Sequence, residues 1–218
     1  MHLTLPLLTL SLSSLAAAAP SSLFNCPPKG FDSAPNFDLE SYISAPWFVQ
    51  EQLPVSYQPV DELFCVRAKY TRKGGDLVDV YNYANQKTIN GPKKDTHLNA
   101  ALTSTQSKLK VGPTFLPRFL YGDYWVVAAG NNATSSSTSE DTNSTYTWAI
   151  ITTGSPTRPS NGKCLPFFNP GLWLFTREQV VSEERIGELR GKAEGLGLDV
   201  GGLVRVGQLG CTYEGVEV

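Results

Sequence analysis

Phe64-Cys65-Val66-Arg67-Ala68-Lys69-Tyr70 places Phe64, Val66, Ala68 and Tyr70 on one side of the chain and Cys65, Arg67 and Lys69 on the other. A side-chain repeat of two residues belongs to a strand, with one face in a core and the other outside it. Cys65 therefore reads as pointing out of the fold. Lys73-Gly74-Gly75-Asp76 comes next, a tight turn in which glycine tolerates left-handed backbone, and the chain returns through 77–83.

Outward from this hairpin the same period continues. Residues 47–53 form a first strand that stops at Pro54, and Glu51 shares parity with Trp47, so that it can face inward. Segments 88–102 and 105–111 carry weaker strand patterns, while 124–129, 146–153 and 172–177 are strong ones. Between the sixth and seventh strands in chain order, residues 130–144 are rich in Ser, Thr and Asn and read as a long hairpin loop. After the last strand the period changes. Ile186, Leu189, Ala193 and Leu196 recur at helical spacing, Ser182 is placed to cap the start, Glu183 and Glu184 sit at the positive end of the helix dipole, and Gly195 and Gly197 end it. The order predicts an all-β fold, an eight-stranded antiparallel up-and-down barrel with a C-terminal helix packed on its wall. An immunoglobulin-like sandwich is the rival; the terminal helix and the aromatic residues on both strand faces favour the barrel.

At 218 residues the chain fits one domain. Eighteen basic against twenty acidic side chains, with no long Lys/Arg cluster, argue against nucleic acid as a partner. Residues 1–19 carry seven leucines and no charged side chain, then end in four alanines, the pattern of a cleaved signal peptide; the domain is then 20–218. Cys26, Cys65, Cys164 and Cys211 all follow that leader, and an even count on a secretory route points to two disulfides. Zinc is the competing reading of four cysteines, but there is no Cys-x-x-Cys pair and His97 is the one histidine after the leader, so no metal site is expected. Asn132-Ala133-Thr134 and Asn143-Ser144-Thr145 are glycosylation sequons, and both lie in the long loop. The reading is of a secreted, extracellular glycoprotein.

Several motifs in this order resemble the lipocalins, most closely those similar to apolipoprotein D and to the barrel of violaxanthin de-epoxidase-like proteins. They are Cys26-Pro27, Asn36-Phe37-Asp38-Leu39 with Tyr42 and Trp47, the strand Phe64–Tyr70, Tyr124-Trp125-Val126-Val127, and Gly171-Leu172-Trp173-Leu174-Phe175-Thr176-Arg177 before the helix and the last cysteine. The usual Gly-x-Trp appears as Ala45-Pro46-Trp47 with one extra residue after Tyr42, and the usual Thr-Asp-x-x-Tyr is broken after Ala129-Gly130 by an insertion that ends near Tyr146. The resemblance implies that Trp47 plugs the closed end with Arg177 lying over it. It also implies the pairings Cys26 to Cys164 and Cys65 to Cys211.

The same resemblance implies binding and transport of a small hydrophobic ligand, such as a lipid, fatty acid, sterol, retinoid or carotenoid-like molecule, and requires no cofactor. Candidate ligand contacts are Trp47, Val66, Ala68, Tyr70, Tyr81, Tyr83, Trp125, Trp148 and Trp173, of which Trp173 shares parity with Arg177 and should point inward. No nucleophile with a base and no carboxylate pair in an apolar setting is visible, so catalysis is not expected. Two alternatives stay open: an enzyme on an apolar substrate such as a carotenoid epoxide, and a protein-binding or defence module. The mouth loops are apolar for loops, with Phe115, Leu116 and Phe119 in one and Phe167 and Phe168 in another. They suit either a lid over the cavity or peripheral contact with a membrane or lipoprotein, with Arg118 near the headgroups.

Overall fold

In the computed structural model, eight antiparallel strands run from β1 (Trp47–Gln52) through β2 (Phe64–Gly74), β3 (Leu77–Asn85), β4 (Lys93–Leu102), β5 (Lys108–Pro113), β6 (Gly122–Gly130) and β7 (Trp148–Thr152) to the last wall strand. A short hairpin of β8 (Arg158–Ser160) and β9 (Lys163–Leu165) interrupts the connection to that strand, β10 (Leu172–Thr176). Each wall strand pairs with its neighbour in sequence, and β10 pairs back onto β1. That last pairing closes the sheet into a barrel and excludes a sandwich of two separate sheets. β11 (Val204–Arg205) lies beside β1 as an outer addition. The structure describes residues 25–131, 146–213 and 215–216; the leader 1–19 and the sequons at Asn132 and Asn143 lie outside the described residues.

Helix α1 (Leu39–Ile43) crosses one end of the barrel, its start capped by Asp38, whose carboxylate accepts from Glu40 N–H at 3.0 Å. Helix α2 (Glu183–Gly195) is capped by Ser182, which accepts from Arg185 N–H at 3.2 Å. Beyond it Gly197 takes the left-handed conformation that ends a helix. Gly187 and Gly191 weaken α2 intrinsically, so packing must hold it. Its buried Leu189 and Ala193 lie on Leu172, Leu174 and Ile150, which project outward from β10 and β7. Full burial of Leu189 alone contributes roughly 1.5–3 kcal/mol.

Three irregularities decide which side chains face in. Between Val49 and Glu51 the register of β1 on β10 shifts by one residue. Trp47 and Val49 face the interior, but beyond the bulge the parity is reversed. Glu51, expected to face inward, instead accepts from Arg190 of α2 at 2.6 Å on the outside. A second shift lies between Phe64 and Arg67, where Cys65 adopts φ 54°. It leaves Val66, Ala68 and Tyr70 inside but takes Phe64 out of their row, against Gly207. The third, between Val126 and Ala128, turns both Val127 and Ala128 toward α2.

Two disulfides staple this frame. Cys26–Cys164 joins the N-terminal segment to β9, and Cys65–Cys211 joins the outside of β2 to the C-terminal tail. Around the second, Tyr81, Tyr83 and Val216 form an outer apolar cluster, with Tyr213 packed against it.

Candidate functional site

The inward rows of the strands enclose a cavity of about 1150 Å³. Its walls are largely apolar, from Val66 and Ala68 on β2, Val80 on β3, Leu98 on β4, and Trp173 and Phe175 on β10. Gly171 precedes Trp173 on the same face, and a Cβ there would meet the indole at 2.1 Å, so glycine is what lets the ring lie back along its own strand.

One end is plugged. The Arg177 guanidinium lies 3.5 Å from the centre of the Trp47 ring. It donates from Nε to the Tyr146 carbonyl (3.1 Å), and from its terminal nitrogens to the carbonyls of Ala45, Pro46 (3.1 Å), Ser41 (3.1 Å) and Tyr42 (2.8 Å). Apart from that of Tyr146, which precedes β7, these carbonyls come from α1 and the segment joining it to β1, the stretch where the backbone has left its helix and needs donors. Burial draws the Arg177 pKa down to about 10. Trp47 Nε1 donates to the Tyr42 carbonyl at 2.9 Å, so ring and cation are fixed by the same turn.

Above the plug, three tyrosines meet. Tyr42 comes from α1, Tyr70 from β2 and Tyr124 from β6; the Tyr124 hydroxyl is 2.6 Å from that of Tyr42 and 2.7 Å from that of Tyr70. Burial pushes all three phenols up, Tyr70 to about 12, so each keeps its proton at neutral pH. At the other end Lys94 pairs with Glu62 at 2.6 Å and Lys110 with Asp123 at 2.8 Å, and Asp95 accepts from the Tyr81 hydroxyl at 2.8 Å.

Of the residues singled out from sequence, Val66, Ala68, Tyr70 and Trp173 line the cavity, and Trp47 lies beneath it in the plug. Tyr83 borders it, with its ring edge-on to Tyr213 at 5.8 Å on the outer side. Tyr81, Trp125 and Trp148 depart from the expectation. The Tyr81 hydroxyl donates to Asp95 at 2.8 Å and its ring lies 4.8 Å from His97, on the outer wall. Trp125 and Trp148 pack in the apolar layer beneath α2, covered by the ammonium groups of Lys108 at 4.1 Å and Lys192 at 5.0 Å. Tyr124 and Tyr42 were visible only as motif residues; Val80 and Phe175 carry the inward parity of their strands.

The apolar mouth residues are exposed. Phe115, Phe119 and Phe168 are 83%, 84% and 82% exposed, Phe167 59%, and Leu116 is half-buried. Arg118, expected near headgroups, forks onto Asp76 in the β2–β3 turn at 2.5 and 3.0 Å. Among the described residues no group of three or more His, Cys, Asp or Glu side chains is placed to hold a metal ion, and every cysteine is bonded.

Two solved structures share this architecture. The major allergen Per a 4 from cockroaches superposes with a TM-score of 0.54 over 84% of this chain and 95% of its own, at 14% identity. Lobster apocrustacyanin A1 superposes with a TM-score of 0.50 over 78% of each chain, at 12% identity. No family model and no curated protein sequence matches the chain. At these identities the likeness is one of fold, the closed eight-stranded barrel with a C-terminal helix that the resemblance to lipocalins implied.

Proposed function

We propose that this protein binds a small apolar molecule in its barrel and carries it outside the cell without altering it covalently. The cavity carries this reading: about 1150 Å³ of largely apolar wall, plugged at one end and bordered by loops at the other. An enzyme needs a nucleophile, an acid–base pair or a metal at the bound molecule. Of the charged groups that border this cavity, Lys94 and Lys110 are paired with Glu62 and Asp123 and Asp95 accepts from the Tyr81 hydroxyl, while His97 lies on the outer wall beside Asp79. The leader 1–19 and the two disulfides support secretion. Glycans at Asn132 and Asn143 would leave the closed end, where β6 and β7 flank their loop, and keep the mouth clear.

The test is a fluorescence titration with 1-anilinonaphthalene-8-sulfonate, following quenching of Trp173 and gain of dye emission. Saturable binding by the native protein is expected, together with loss of at least tenfold in affinity for Ala68→Trp, whose indole would occupy the cavity. Equal binding by the two proteins would place the dye elsewhere and refute the cavity as the site.

The exposed mouth supports a second element of this function, docking on a lipid surface while the ligand passes. A lid would bury its own rings against each other, whereas Phe115, Phe119 and Phe168 are all more than four-fifths exposed. Liposome flotation should recover the native protein and not Phe115→Ser/Phe168→Ser; equal recovery of both, or of neither, rejects docking.

A further inference from the structure

On the inner wall of the barrel one row of side chains stands apart. Asn82 of β3 is paired with Ala68 of β2 on one side and with Thr96 of β4 on the other, and all three line the cavity. The row below, toward the floor, is Tyr70, Val80 and Leu98. Two residues further toward the mouth along β4 lies Lys94. Asparagine is depleted in strands, and an apolar lumen offers its amide no packing advantage. Other polar side chains around the cavity are taken up within the protein: Gln58 accepts from Gln52 at 3.0 Å, Asn169 from the Ser56 N–H at 3.2 Å and Thr153 from the Gly171 N–H at 2.9 Å. The side chains of Asn82 and Thr96 make no hydrogen bond to any described residue. Asn82 is half-buried and Thr96 exposed, and the small Ala68 leaves the amide open on its β2 side.

An amide and a hydroxyl each both donate and accept. While the lumen is open to solvent, water meets those needs. A molecule that fills the lumen takes the water away, and a hydrocarbon in its place would leave both side chains unpaired at a cost. The molecule that suits this wall therefore brings a polar group to the Asn82 row, and that group must give a hydrogen as well as take one. Ether and ketone oxygens only accept. A carboxylate only accepts too, and it needs a cation besides. Lys94 spends its ammonium on both oxygens of Glu62, at 2.7 and 2.6 Å, and Lys110 is paired with Asp123. The floor phenols hydrogen-bond one another, so they do not draw the polar group past this row. An alcohol meets every condition, being uncharged and able both to donate and to accept.

We propose that Asn82, with Thr96 beside it, is a hydroxyl-binding site on the cavity wall, and that the bound molecule is an uncharged apolar alcohol. Its hydrocarbon part lies on Tyr70, Val80, Leu98 and Trp173, and its hydroxyl faces β3 and β4 on the side of the mouth. This rests on the ligand-binding reading above and adds to it the charge, the polar group and the orientation of what is bound.

Three probes of similar length separate the cases: 1-decanol, its isomer 1-methoxynonane and decanoate, each displacing the anilinonaphthalene dye from the native protein, from Asn82→Leu and from Thr96→Val. The alcohol is expected to bind the native protein about three- to tenfold more tightly than the ether, the scale of one neutral hydrogen bond, and more tightly than decanoate. In Asn82→Leu, which keeps the volume and breaks no protein hydrogen bond, the ratio of alcohol to ether should fall to near one while the ether still binds. Thr96→Val keeps the branched shape and should lower the ratio by a smaller factor. Because the ratio compares two isomers in one protein, a general change in cavity shape cancels from it. A ratio near one in the native protein, a ratio unchanged in Asn82→Leu, or tighter native binding of decanoate than of the alcohol overturns the hydroxyl site and leaves the carrier reading standing. Failure of all three probes to displace the dye overturns that reading, and the hydroxyl site with it.

Discussion

Replacing Arg177 tests the plug on which the cavity depends. Its guanidinium holds five backbone carbonyls together and lies 3.5 Å from the Trp47 ring centre. A cation over indole contributes about 0.5–2 kcal/mol. Hydrogen bonds from a charged donor contribute roughly 1.5–3 kcal/mol each, but five of them do not add, because the ion has also been drawn out of water. That cost is visible in its pKa, lowered by burial to about 10. Arg177→Met keeps much of the aliphatic stem and leaves buried carbonyls unpaired, so a net loss of about 3–5 kcal/mol is expected, the usual scale for removing one partner from a buried charged network. For a chain of this length that lowers Tm by roughly 6–20 °C. Arg177→Lys keeps the charge above Trp47 but concentrates its donors on one nitrogen, which cannot span carbonyls from Ser41 to Tyr146; it should recover less than half the loss. Urea unfolding followed by tryptophan fluorescence measures both, with a shifted midpoint and a constant slope. A loss below about 1 kcal/mol for Arg177→Met, or native stability for Arg177→Lys, would show that the guanidinium fork does not hold the closed end.

Two further outcomes follow from the buried polar groups. Tyr70 titrates near 12 in the fold against an ordinary value near 10, so its contribution is fully present below pH 10 and is lost as pH rises toward 12. At about 1.4 kcal/mol per unit this is roughly 2–3 kcal/mol from Tyr70, with Tyr42 and Tyr124 adding in the same direction; urea midpoints should hold from pH 9 to 10 and fall at pH 11, and native-state absorbance at 295 nm should show these three phenols, together with Tyr57 and Tyr213, still silent at pH 10.5. Full phenol titration with the fold intact at that pH would contradict the buried triad. Glu51→Ala strands Arg190 under α2 and should cost about 1–3 kcal/mol, less than a fully enclosed pair because Arg190 is partly exposed. Adding Arg190→Ala should restore part of that loss, and strictly additive single losses would show that the pair is not coupled.

The strand order and the helix with its cap were legible in the sequence because each depends on periodicity or on a local motif, whereas the Trp47–Arg177 contact came from the resemblance to lipocalins. The lumen was legible only in part. Trp125 and Trp148 alternate as regularly as Trp173, yet they face α2, and Tyr81 faces the outer wall. Period two identifies faces but does not say which one is inside, and here both faces of β3, β6 and β7 are covered, one by the cavity and the other by α2 or the C-terminal tail. Glu51 failed for a different reason. A single extra residue after Val49 reverses parity, and a bulge without a glycine leaves no mark in composition.

The tyrosine triad was hidden more deeply, since Tyr42, Tyr70 and Tyr124 lie far apart in the chain and each, taken alone, is an ordinary aromatic core residue. What joins them is three-dimensional: α1, β2 and β6 bring the three hydroxyls together over the plug, where they bond to one another. The plug below them accounts for why they turn to one another. The carbonyls of Ser41, Tyr42, Ala45 and Pro46 are the local acceptors, and Arg177, with Trp47 Nε1 at the Tyr42 carbonyl, occupies them. Closure of the barrel and preparation of its floor are thus one arrangement. Arg177 takes the backbone acceptors away from the phenols, so their hydroxyls are satisfied by one another. Loosening the plug should therefore disturb the phenol contacts at the floor even when the cavity walls are untouched.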